Sequence, residues 1–157
     1  MKTIEDRIQS TLQEFTFVAD RSDYNTKEWT SGIMNALSSL GEEFKWDVCG
    51  GSETGWLFDL TWYSNDEKDR LNNVHLAVEC EWDYSFKAIK YDFEKLILAR
   101  CSLRLMIFQA KSDEIIIERM KQLNDLIDNC SLSQSGDRYL FAGLNHRNDF
   151  QFESKTV

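Results

Sequence analysis

The chain has 157 residues, enough for one domain with a substantial core and too few for two ordinary ones. Its composition, 42% hydrophobic and 29% charged, excludes disordered, fibrous and low-complexity classes, and no apolar run reaches the length of a membrane span. A net charge of −9 argues against broad, nonspecific affinity for nucleic acid, although it leaves room for a local basic face.

The opening MKTIEDRIQS lacks the apolar core of a secretory signal, so a cytoplasmic location is expected. Cys49, Cys80, Cys101 and Cys130 are scattered without a CxxC spacing, which points to free, mostly buried thiols rather than a zinc site or a disulfide framework. Ile4, Ile8, Leu12 and Phe15 recur at helical spacing and predict an amphipathic N-terminal helix within residues 1–20, for packing or for dimerisation. A second helix is expected over Tyr24–Leu40, with Asn25 as N-cap, Glu28 three residues on, Trp29, Ile33, Leu37 and Leu40 inward, and Gly41 ending it.

Phe44–Cys49 reads as a short strand, turned by Gly50-Gly51 towards a second strand over Trp56–Tyr63. The polar link Ser64–Asn73 reads as a loop before a third strand, Val74–Trp82. A helix over Phe86–Arg100 follows, with Ile89, Phe93, Leu96 and Ile97 inward, and then Leu103–Phe108, dense enough to be a central strand buried on both faces. Ser112–Asn129 predicts another helix with Ser112 as cap, and Gly136 breaks the chain before two closing strands, Arg138–Leu144 and Phe150–Glu153, within 137–154. The second of these is expected at an edge. A single α/β domain results, with a central mixed sheet flanked by helices.

Carboxylates interrupt two of these strands. In WLFDLTW the even positions Trp56, Phe58, Leu60 and Trp62 are large and apolar, while Asp59 shares the odd face with Thr61 and Tyr63. In VHLAVECEW the apolar face is Val74, Leu76, Val78, Cys80 and Trp82, and His75, Ala77, Glu79 and Glu81 point the other way. A carboxylate in such a strand is expensive without a metal, a proton or a donor. A hairpin centred near residue 69 pairs residue i with a residue near 138 − i, which sets Asp59 opposite Glu79 and brings both to one face with Glu81. Three acids so gathered would repel one another, and a hard divalent cation resolves the conflict.

The order helix, three strands, helix, strand, with an acid in the second strand and Glu-x-Glu in the third, resembles the restriction-endonuclease-like PD-(D/E)XK nuclease superfamily over residues 25–130. The resemblance implies an αβββαβ core, preceded here by an extra helix, and a phosphodiesterase dependent on Mg²⁺ or Mn²⁺. It casts Asp59 as the first metal-binding acid and Glu79 as the second. Glu81 stands where the family most often has lysine, and there could bind a second metal or act as general base. Lys95, on the following helix, is placed to be the relocated cation that steadies the scissile phosphate, and Glu28 matches the glutamate many relatives carry early in the first core helix. Glu28 is explained equally well as a capping residue. The implied substrate is DNA before RNA, and a homodimer would suit two-strand cutting.

The rival reading is a catalytically silent member of the same fold that binds a protein partner, favoured by the acidic composition and the missing motif lysine. Electrostatics separates the two: a nuclease calls for a positive rim from Lys87, Lys90, Lys95 and Arg100. Structural carboxylates, each paired with Lys or Arg, are a third reading. His75 and His146 are isolated, and neither a phosphate-binding GxxxxGK loop nor a local nucleophile signature is present.

Overall fold

The computed structural model describes residues 2–19 and 23–157 and forms an α/β architecture. The elements are α1 (Ile4–Ala19), α2 (Thr26–Glu43), β1 (Asp47–Gly50), β2 (Leu60–Asn65), β3 (Leu71–Glu81), α3 (Phe86–Ile97), β4 (Leu103–Gln109), α4 (Asp113–Asp128), β5 (Arg138–Leu144) and β6 (Phe150–Thr156). The strands lie in sequence order in one six-stranded sheet. β1, β2 and β3 form an antiparallel meander, β3, β4 and β5 run parallel, and β6 returns antiparallel at the edge. The parallel steps need crossovers, and α3 and α4 supply them.

Local chemistry explains the helix starts. Asn25 accepts from Glu28 N–H at 3.0 Å while the Glu28 carboxylate accepts from Asn25 N–H at 2.7 Å, a reciprocal cap on α2. Ser85 and Ser112 cap α3 and α4 through their side chains. The limits expected for the first helix, residues 1 and 20, fall outside the described residues. Ile8 and Leu12 of α1 are fully buried in the chain's own core, with Ile4 and Phe15 packed against it, so that apolar stripe is occupied internally.

Two cores sandwich the sheet. Leu60, Trp62, Leu76, Val78, Leu105 and Ile107 face α1 and α2. Ala77, Met106, Phe108, Tyr139 and Phe141 face α3 and α4. β4 is buried on both sides, as its sequence predicts. No helix among the described residues is long and apolar enough to cross a membrane.

Three expectations need correction. Gly41 does not end α2, which runs on to Glu43 with Phe44 as C-cap. A Cβ at Gly41 would stand 2.7 Å from Trp62 Nε1, so the missing side chain lets helix and sheet approach. The second strand starts at Leu60, not Trp56. Gly50 and Gly51, at φ of 100° and 77°, open an irregular excursion that leaves Trp56 half exposed against Tyr63 and tucks Phe58 under the core on the α3 side. Finally, the expected loop Ser64–Asn73 is strand at both ends, β2 running to Asn65 and β3 starting at Leu71, and is closed by a short turn in which Asp66 accepts from Lys68 N–H, Arg70 N–H and the Arg70 guanidinium.

Candidate functional site

The predicted register holds where it matters. Leu60 pairs with Val78, Thr61 with Ala77 and Trp62 with Leu76, each summing to 138, before irregularities after Trp62 and Ser64 shift the alignment. Asp59 lies one residue before this ladder. Its Oδ2 accepts from Cys80 N–H at 2.8 Å, which fixes the acid beside the end of β3.

Glu79 occupies the same face and is 1% exposed. Its Oε2 accepts from Lys95 Nζ at 2.9 Å, and Lys95 also donates to Asp92 at 2.9 Å. α3 therefore delivers its lysine to the third-strand acid. Glu79 Oε1 is buried without a partner, and so is the hydroxyl of Thr61, which shares the face of Asp59 and Ala77. An unpaired buried oxygen carries the full cost of its lost hydration.

The electrostatics follow from this burial. Desolvation, reinforced by the charges of Asp59 and Asp92, pushes the Glu79 carboxyl up to about 7 against the pull of Lys95. Desolvation also raises Asp59, while the Cys80 N–H and Lys95 counter it. Burial opposes the charge on Lys95, but its hydrogen bonds to Glu79 and Asp92 outweigh that and hold it firmly protonated. A buried carboxyl raised to about 7 beside a fixed ammonium is poised to change protonation near physiological pH.

The other expected site residues have partners of their own. Glu81 Oε1 accepts from Asp83 N–H at 2.7 Å and faces a shallow hollow beside Ser85, Lys87 and Tyr91. Glu28 is spent in the α2 cap, on a helix that packs against the opposite face of the sheet. Among the described residues no three His, Cys, Asp or Glu side chains are arranged to hold a metal ion. The structure thus unites Asp59, Glu79 and Lys95, adds Asp92 and Thr61, and engages Glu81 in the Asp83 turn and Glu28 in the α2 cap. Asp92 was discoverable, since it precedes Lys95 by three residues on a helix face. Thr61 carried no sequence signal beyond its parity.

A second buried charge sits on the same sheet face, one strand over. Arg104 on β4, 4% exposed, donates to the carbonyls of Leu96 at 3.1 Å and Ala99 at 2.7 Å and to Asp137 at 3.1 Å, and covers the Tyr139 ring. It ties the end of α3 to the start of β5. No protein-family model matches the chain, and no curated protein sequence matches it either.

Proposed function

We propose that the protein is a divalent-metal-dependent phosphodiesterase of the PD-(D/E)XK type acting on nucleic acid, DNA before RNA. The observation that carries this reading is the set Asp59, Glu79 and Lys95, drawn from the mouth of β2, the end of β3 and the third turn of α3. The order of elements from α2 to β4, helix, three strands, helix, strand, supports it as well.

The donor set suits a small hard cation. Mg²⁺ is commonly held by one or two carboxylates, with waters and substrate phosphate completing its shell. Asp59 and Glu79 would supply those two, and the partnerless Oε1 of Glu79 is the oxygen best placed by chemistry to gain from it. Bound there, Mg²⁺ or Mn²⁺ would polarise a phosphoryl oxygen and acidify a water. Lys95 contributes a fixed positive charge to the phosphate's developing negative charge, and Asp92 aims its ammonium. Cys80 N–H holds Asp59 in place. Burial excludes bulk water from Glu79 and strengthens each of these interactions.

The second reading, a silent fold member that binds a protein, draws on the state of the expected basic rim. Lys90 pairs with Glu94 at 3.5 Å, Lys95 is taken by Glu79 and Asp92, and Arg100 lies beyond the far end of α3. Of that set only Lys87 and Arg100 have no ion pair among the described residues.

Calorimetric titration of Mn²⁺ together with cleavage of a labelled DNA strand decides between them. Wild type is expected to bind and cut, and Asp59→Asn and Glu79→Gln to lose both, with cleavage down at least about 100-fold on the scale of a removed catalytic electrostatic group. Equal heats from wild type and Asp59→Asn would overturn the enzyme reading in favour of the binding module.

A further inference from the structure

A sizeable hollow lies away from Glu79, at the end of the sheet where β3 and β4 begin. It has a volume of about 730 Å³, within the usual range for small-molecule sites. Its wall is formed by the segment after α3, the start of β4 and the loop that leads into β5.

Three features give this hollow a chemical preference. The first is charge. Arg104 lines it with Nη1 buried and partnerless, while Arg100 is exposed beside it with no side-chain partner among the described residues. The single acid in the lining, Asp137, is already spent, with Oδ1 accepting from Arg104 and Oδ2 accepting from Gln134 N–H at 2.9 Å. In a chain of net charge −9 this concavity therefore carries one uncompensated guanidinium, backed by a second that lacks one of its partners.

The second feature is apolar. Leu98 and Leu132, 67% and 58% exposed, stand at the same hollow, where water gains nothing from them. The third is a supply of neutral polar groups, Ser102 and Gln134, able to orient a ligand. A planar guanidinium pairs bidentately with carboxylate or phosphate.

We propose that this hollow binds a small amphipathic anion, a carboxylate or phosphate monoester on an apolar body, with Arg100 engaging the acid group and Leu98 and Leu132 covering the body. The site is independent of the phosphodiesterase reading, because it shares no residue with Asp59, Glu79 or Lys95.

The test is calorimetry on the full chain with two anions, adenosine 5′-monophosphate and octanoate, and their neutral counterparts, adenosine and octanamide. At least one anion should bind ten times more tightly than its counterpart, and Arg100→Ala, which removes an exposed side chain, should weaken it about tenfold with an unchanged melting temperature. Glu79→Gln should bind as wild type does. Preference for the nucleotide assigns the phosphate class, and preference for octanoate the carboxylate class. Equal binding of anions and neutral analogues, or an Arg100→Ala protein that binds as wild type, overturns the proposal.

Discussion

Towards α1 and α2 the strands present Leu60, Trp62, Leu76, Val78, Leu105 and Ile107, each fully buried hydrocarbon or indole. Towards α3 and α4 they present Thr61, Glu79 and Arg104 among the apolar side chains. The first face gains stability from area removed from water, at about 25 cal/mol per Å². The second accepts desolvated charge and unpaired oxygen, which packing alone gives no reason to tolerate. Chemistry is therefore to be sought on the face that is worse for folding.

The sharpest way to break that contrast is to damage the apolar face. Trp62→Ala removes an indole that is 0% exposed and donates to Leu37 C=O at 3.0 Å. The expected loss is about 3–5 kcal/mol, read from urea denaturation. A loss below about 1 kcal/mol would remove the contrast altogether.

Glu79→Gln tests the other face, through pH. The Glu79 carboxyl rises from an ordinary 4.5 to about 7 on folding, so the folded state favours its protonated form. That contribution is present below the unfolded value and is lost as pH rises through about 7. Wild type should lose on the order of 3 kcal/mol across that window through this group, and Glu79→Gln should not. At pH 8 the variant is thus expected to be at least as stable as wild type while lacking cleavage. Parallel pH curves for the two proteins would mean that another group causes the loss.

Gly41→Ala carries the smallest effect and returns to the first face. Alanine favours a helix over glycine by about 1 kcal/mol, but its Cβ would meet Trp62 Nε1 at 2.7 Å and Cδ1 at 2.8 Å. Overpacking of this kind costs roughly 1–3 kcal/mol, so a net loss near 1 kcal/mol is expected in thermal or urea unfolding. A stabilised variant would show that α2 and β2 have room to part.

Much of this was legible in the chain. Parity along Leu76–Trp82 assigned both faces of β3, although the irregularity at His75 turns that ring onto Trp46 beside the opposite core, and the sum of 138 placed Asp59 next to the end of the third strand. Asn25 and Ser112 gave the starts of two helices because capping is local chemistry. The failures have a common origin in contacts distant along the chain. The alternation of Trp56, Phe58 and Leu60 imitates a strand, yet Phe58 and Leu60 join opposite cores once the glycines have turned the backbone. Gly41 reads as a helix stop until Trp62 is seen against it. Arg104 and Asp137 are thirty-three residues apart, and no local periodicity announces their pairing. Glu81 has the parity for the site, but the turn at Asp83 claims its oxygen first.

The bond from Cys80 N–H to Asp59 gives one side chain two duties. Beyond Leu60↔Val78 the backbone rungs between the second and third strands stop, and the carboxylate supplies the next tie itself. Asparagine can keep that tie while discarding the negative charge, whereas alanine would drop both and let the open end of the hairpin unlace. Asp59 is thus a fastener as well as an acid, and only the amide swap separates the two jobs.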